Sequence, residues 1–166
     1  MAGWREALEV YRDRGVATML FLGFAAGLPL PLTGFTLRQR LSEDGVDLAA
    51  IGATALIGFA YSWKFVWAPA LDQVRPPLAL GRRRGWLLPL QLALAASIAA
   101  MAAFDPRTTP AALAIAAVAV AFLSASQDIV VDAYRIERLA PERQGAGLAA
   151  YIWGYRAALP ASSAAR

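Results

Sequence analysis

The stretch FLSASQDIVVDAYR, residues 122–135, closes a long apolar segment with two aspartates and an arginine. On a helix Asp128 and Asp132, four residues apart, project from one face, with Ser124 one turn before and Arg135 nearly one turn after. An ionised carboxylate near hydrocarbon costs roughly 2.5–3.5 kcal/mol on insertion scales, so each aspartate needs a cation, a water-filled cavity or a proton. Each outcome makes this helix part of a polar site inside a membrane protein.

Outward from this stretch the composition agrees. Of 166 residues, 58 % are hydrophobic and 17 % charged, too apolar for one soluble domain. The apolar residues fall in blocks at 16–37, 48–70, 86–104 and 111–131, with a weaker fifth at 147–163. A bilayer-crossing helix needs roughly 20 such residues. The expected fold is therefore all-α: a polytopic membrane helical bundle of four full transmembrane helices and an incomplete fifth.

A net charge of +4 and a pI near 10.0 could suit nucleic acid, so the position of the charges decides. Ten of the sixteen basic residues fall in three segments: Arg5, Arg12 and Arg14; Arg75, Arg82, Arg83 and Arg84; Arg135, Arg138 and Arg143. The alternate loops hold only Arg38, Arg40 and Arg107. By the positive-inside bias the N-terminus and the 71–85 loop are cytoplasmic, and the basic pI reflects topology rather than a nucleic-acid surface. The absence of Cys and His excludes disulfides, thiol chemistry, zinc clusters and His-based acid–base catalysis within the chain. The first apolar block is too long for a signal-peptide core and reads as a retained helix. Ahead of it, residues 1–14 carry Trp4, Leu8 and Tyr11 at helical spacing, which suits either a short helix along the headgroups or a solvated tail.

Within the spans, a few residues stand out. Gly23 and Gly27, four apart, permit close helix contact, and Pro29 and Pro31 interrupt the backbone at membrane depth. Gly27, Pro29 and Pro31 thus mark either a cavity-lining bend or simple packing. Lys64, the only lysine, lies roughly 9 Å inside the second block, and Asp128 lies roughly 6 Å inside the fourth. The depths allow a pair, with Tyr61 nearby; alternatively Lys64 snorkels to the headgroups. Asp72 and Arg82, Arg83 and Arg84 flank a proline-broken loop and could clamp helix ends at a cytoplasmic gate. Arg156 stands in the fifth block and by the same cost is covered by protein or faces a cavity.

Taken in order, GFAAGLPLPLTGFTL (23–37), FVWAPALD (65–72), GRRRGWLL (81–88), SASQDIVVDAYR (124–135) and ERQGAGLAAYIWGYR (142–156) resemble the AmpG-type muropeptide permeases of the major facilitator superfamily, a branch that also holds acetyl-CoA transporters. The resemblance implies a partial N-terminal half of a proton-driven importer of anhydromuropeptides, the sugar–peptide fragments of cell-wall turnover, in the bacterial cytoplasmic membrane. Residues 68–84 look like the superfamily's signature loop, although glycine is usual where Ala68 stands and Pro76–Pro77 stretch the spacing. The family pattern gives Asp132 a gate salt bridge with Arg135 beside it, and leaves Asp128 for proton coupling with Lys64 or Arg156 as competing cations and with Tyr61 and Gln127 at the solute cavity. Helices one, two, four and five would surround that cavity. No cofactor or metal is expected; the proton gradient is the energy source. The partners expected are a small sugar–peptide solute, the lipid bilayer and a missing C-terminal half. The likeness stops at Arg156, and the last ten residues do not read as a finished fifth helix, so the expectation is a truncated chain without transport of its own. A second reading, an intramembrane Mg²⁺ enzyme built on Asp128 and Asp132, lacks the second acidic cluster such enzymes need. A third is a membrane fragment without transport.

Overall fold

The computed structural model describes residues 9–31, 33–34, 37–43, 45 and 55–163, and among these there is no strand. The helices are α1 (Arg14–Gly27), the single turn α2 (Pro29–Pro31), α3 (Leu37–Glu43), α4 (Ala55–Ser62), α5 (Ala68–Gln73), α6 (Arg82–Ala103), α7 (Pro110–Arg138) and α8 (Gln144–Ser163). Short 3₁₀ turns precede α1 at Val10–Arg12, α5 at Lys64–Val66 and α8 at Pro141–Arg143. Trp4, Leu8 and the start of the second apolar block lie outside the described residues. α6 and α7 are long and apolar enough to cross a membrane, and α1 is a shorter apolar helix.

The helix limits follow from local chemistry. Asp13 caps α1, its Oδ1 accepting from the N–H groups of Gly15 at 2.8 Å and Val16 at 3.2 Å. α1 stops at Gly27, just ahead of the Pro29 and Pro31 turn. The expected continuous span 48–70 is instead interrupted at Trp63 and again at Trp67. Pro69 is the reason: its ring would strike the carbonyl of Phe65 in a continuous helix, whereas in the first turn of α5 its missing donor costs nothing. α6 and α7 are joined by a tight turn, in which the Asp105 carboxylate accepts from the Arg107 N–H at 2.9 Å. α7 runs to Arg138, seven residues past the expected end at 131, so the first part of the basic connector is helical. The weak end of the fifth block is helical too, through Ser163, with Pro160 inside the helix.

The chain divides into two compact units, Met1–Leu28 with Val131–Arg166, and Pro29–Val130. In the second, Leu113, Ala117 and Ala121, four residues apart along α7, form a stripe that packs with Leu37, Ala60, Tyr61, Met101 and Phe104. In the first, Val16, Met19, Leu139 and Ala150 form the core. Here small residues decide the packing. A β-carbon on Gly23 would overlap the Tyr151 carbonyl, and one on Gly154 would overlap the Leu20 carbonyl. One on Gly27 would lie 2.5 Å from the Tyr155 oxygen and 2.9 Å from Ala158. Gly154 and Ala158, also four apart, thus stand on the α8 face that meets α1 around Gly23 and Gly27. The pairing advances together along both helices, from Gly147 against Met19 to Ala158 against Gly27, so α1 and α8 run parallel.

This packing predicts that Gly23→Leu weakens the fold by roughly 1–3 kcal/mol through overpacking. Gly145→Leu, where nothing lies within 4 Å, leaves it unchanged. Detergent-titration unfolding followed by tryptophan fluorescence checks both, and equal stability of the two variants would refute the close crossing.

Candidate functional site

α7 carries the polar stretch from which the site is built. Its apolar N-terminal part supplies the core stripe, and then Ser124, Ser126 and Gln127 are all buried, at most 2 % exposed. Ser126 is fully used: its hydroxyl donates to the Phe122 carbonyl at 2.8 Å and accepts from the Trp67 indole at 3.1 Å. Gln127 is not, since neither end of its amide has a hydrogen-bond partner among the described residues. Asp128 is half-buried and Asp132 exposed. Arg135 reaches back to Asp132 at 3.6 Å, one turn away on the same helix.

Trp67 fixes the broken second block against α7. Its ring lies on Phe122 with centroids 4.8 Å apart, and its indole holds Ser126. Its backbone N–H closes the 3₁₀ turn on the Lys64 carbonyl. Lys64 is half-buried there, as is Tyr61, and Lys64 makes no ion pair with a carboxylate among the described residues. The structure therefore does not bring Lys64 and Asp128 into a salt bridge. Arg156 is exposed on α8 and is likewise outside the ion pairs of the described residues. Of the bend residues, Gly27 packs against α8, while Pro29 is buried and Pro31 half-buried in the turn that follows. The Thr33 hydroxyl donates to the Pro29 carbonyl at 2.9 Å, binding a group that a helix would have used.

Of the loop arginines, Arg83 bonds Asp72 at 2.6 Å; its side chain is 10 % exposed against 48 % for the aspartate. Arg82 and Arg84 are exposed. A charge in water and one under cover make an asymmetric pair: the guanidinium depends on the carboxylate more than the reverse.

A second polar cluster, at the start of α1 and α8, went unnoticed in the sequence. Asp13, already capping α1, also bonds Arg143 through Oδ2. Gln144 opens α8 and donates to the carbonyls of Arg135, Ile136 and Leu139 at 3.2, 3.3 and 2.7 Å, sealing the end of α7, while its oxygen accepts from Arg135 at 3.3 Å. An Asp immediately before an apolar run was the available signal for the cap; nothing local signals an ion pair spanning 130 positions.

Known proteins similar to this chain point to one family. The family model described as acetyl-coenzyme A transporter 1 matches residues 16–105. The anhydromuropeptide permease of Escherichia coli (strain K12) is 46 % identical over 149 residues, 90 % of this chain and 30 % of the relative. An uncharacterized protein of Haemophilus influenzae is 41 % identical over 138 residues, 83 % of this chain and 32 % of that protein. A Rickettsia felis protein carrying the name AmpG 4 is 31 % identical over 150 residues, 89 % of this chain and 36 % of its own length. The chain thus spans about a third of the length of the curated relatives it matches. No solved structure matches it. With more than half of its length under the family model, the chain belongs to the AmpG-type branch of the acetyl-coenzyme A transporter family.

Proposed function

We propose that the chain supplies the first membrane helices of a proton-coupled importer of anhydromuropeptides, seated in the bacterial cytoplasmic membrane with its N-terminus inside. The observation that carries this is Gln127. A buried amide without a partner costs about 1–3 kcal/mol, and such a group on a membrane-length helix is suited to a passing polar solute or to water. Asp128, the next residue, is the proton carrier, a half-buried carboxylate on the same membrane-length helix. Lys64 and Arg156 are the cations offered to it during the cycle, and Tyr61 joins Gln127 in solute contact. Asp72 with Arg82, Arg83 and Arg84, and Asp132 with Arg135, close the cytoplasmic side. Alternating access of this kind rocks one half against another, so transport belongs to the longer assembly and not to these 166 residues alone.

The span count has its own support. α1 and α8 run parallel and so cross in one direction. The two membrane-length helices between them cancel each other, which leaves α1 to be undone by one further crossing. Among the described residues the block holding α4 and α5 is the candidate for it, which favours four spans before α8 despite the break at Trp63. The name of the family model favours acetyl-CoA as the alternative solute, and labelled acetyl-CoA in the same uptake assay separates the two.

In a full-length relative, Asn at the position of Asp128 is expected to abolish gradient-driven uptake of labelled anhydromuropeptide with membrane insertion intact; unchanged uptake removes Asp128 from the mechanism. Reporter fusions after residue 79 are expected to read cytoplasm, and those after residue 107 the outer side. For the gate, Asp72→Asn and Arg83→Gln are expected to be non-additive by about 1 kcal/mol in a double-mutant cycle on stability, the scale of a pair with one exposed member. Full additivity would show the pair to be idle.

A further inference from the structure

The loop between α5 and α6, residues 74–81, adjoins the gate arginines and carries outward apolar side chains that the transport proposal leaves unused. It is a built loop. The Asp72–Arg83 pair closes its base, and the Trp86 indole donates to the Val74 carbonyl at 3.4 Å. Gly81, at φ +87°, turns the chain into α6 in a conformation that side chains resist. Buried Gly85 makes room for the loop, since a β-carbon there would lie 2.7 Å from that of Pro76 and overlap the Leu78 carbonyl. Folded this way, the loop holds Val74, Leu78 and Leu80 outward, 53, 37 and 54 % exposed. Arg75, Arg82 and Arg84 are exposed beside them. Asp72 is the only acidic residue between positions 48 and 104, and Arg83 takes it, so the three outer arginines have no carboxylate among the described residues.

Position selects the occupant. α6 begins at Arg82 and is of membrane length, so the loop lies at headgroup level. Apolar side chains presented there beside uncompensated guanidinium groups fit the border of a leaflet carrying anionic phosphates. We infer that this loop is a lipid anchor: Leu78 and Leu80 enter the interfacial hydrocarbon of the cytoplasmic leaflet, and Arg75, Arg82 and Arg84 hold anionic phospholipid headgroups. Orientation by positive charge requires the arginines alone; the outward leucines and a preference for anionic lipid are what the anchor adds. The anchor also holds the Asp72–Arg83 pair in the headgroup plane.

The chain has no cysteine, so Ala79→Cys gives a single labelling site between the two leucines. The full chain, carrying a polarity-sensitive fluorophore there, is reconstituted in vesicles of phosphatidylglycerol and phosphatidylethanolamine in equal parts, with bromine on the acyl chains of one lipid or the other. Blue-shifted emission is expected, with quenching roughly fivefold stronger from the brominated anionic lipid, about the preference one arginine confers. The preference should shrink toward equality in about 1 M salt, which screens the headgroup charge. Leu78→Ser with Leu80→Ser should remove the blue shift. Water-like emission in these vesicles, as for a loop reserved for a protein partner, would overturn the anchor, and so would equal quenching by the two brominated lipids at low salt. These readouts involve no solute, so they stand or fall apart from the transport proposal.

Discussion

Hydrocarbon offers the backbone no hydrogen-bond partner, and this constraint sets where each helix of the chain can stop. Proline tests it, because it removes a donor and blocks the carbonyl four residues back. The chain answers in two ways. Pro29, Pro69, Pro110 and Pro141 stand in the opening turn of a helical element, where the missing donor would have been unpaired in any case. Pro89 and Pro160 lie inside α6 and α8 and each costs one bond without ending the helix. The break at Trp63 to Trp67 is thus the cost of placing Pro69 in the first turn of α5. Side chains repair part of it: the Ser62 hydroxyl bonds the Gly58 carbonyl, and Trp67 closes the turn that carries Lys64.

The same constraint sorts the charges. Every ion pair given above joins groups at a helix end or in the last turns of α7: Asp13 with Arg143, Asp72 with Arg83, Asp132 with Arg135. At such ends water and headgroups screen a charge that is briefly alone, so pairs can open and close at small cost. Asp13 and Gln144 add a further duty, since each also satisfies backbone groups that a helix terminus leaves open. Parting Asp13 from Arg143 would leave the cap of α1 in place, because the two functions use different carboxylate oxygens.

What could be read from the sequence was whatever repeats over a short range. The apolar blocks gave the all-helical class, and Gly23 with Gly27 marked a close contact whose partner helix carries Gly154 and Ala158 at the same spacing, equally readable. The pairing of Asp72 with an arginine followed from their flanking a tight loop, though not the choice of Arg83 over its neighbours. The split of the second block was present in Pro69 but was outweighed by continuous hydropathy. Contacts between distant segments left no local trace: Asp13 with Arg143, and Trp67 with Ser126, depend on how helices cross. Lys64 and Asp128 stand at similar depth along their blocks, and depth alone does not specify which groups pair: Lys64 is outside the ion pairs of the described residues.

Gln127 and Ser126 are adjacent, both buried, and differ in one respect that bears on function. Ser126 spends its hydrogen bonds on the fold, joining the α7 backbone to Trp67. Gln127 contributes none among the described residues, and an apolar side chain of similar length would pack there without leaving a donor and an acceptor unmet. Among the described residues the fold therefore offers this amide no partner, whereas a polar solute or water would.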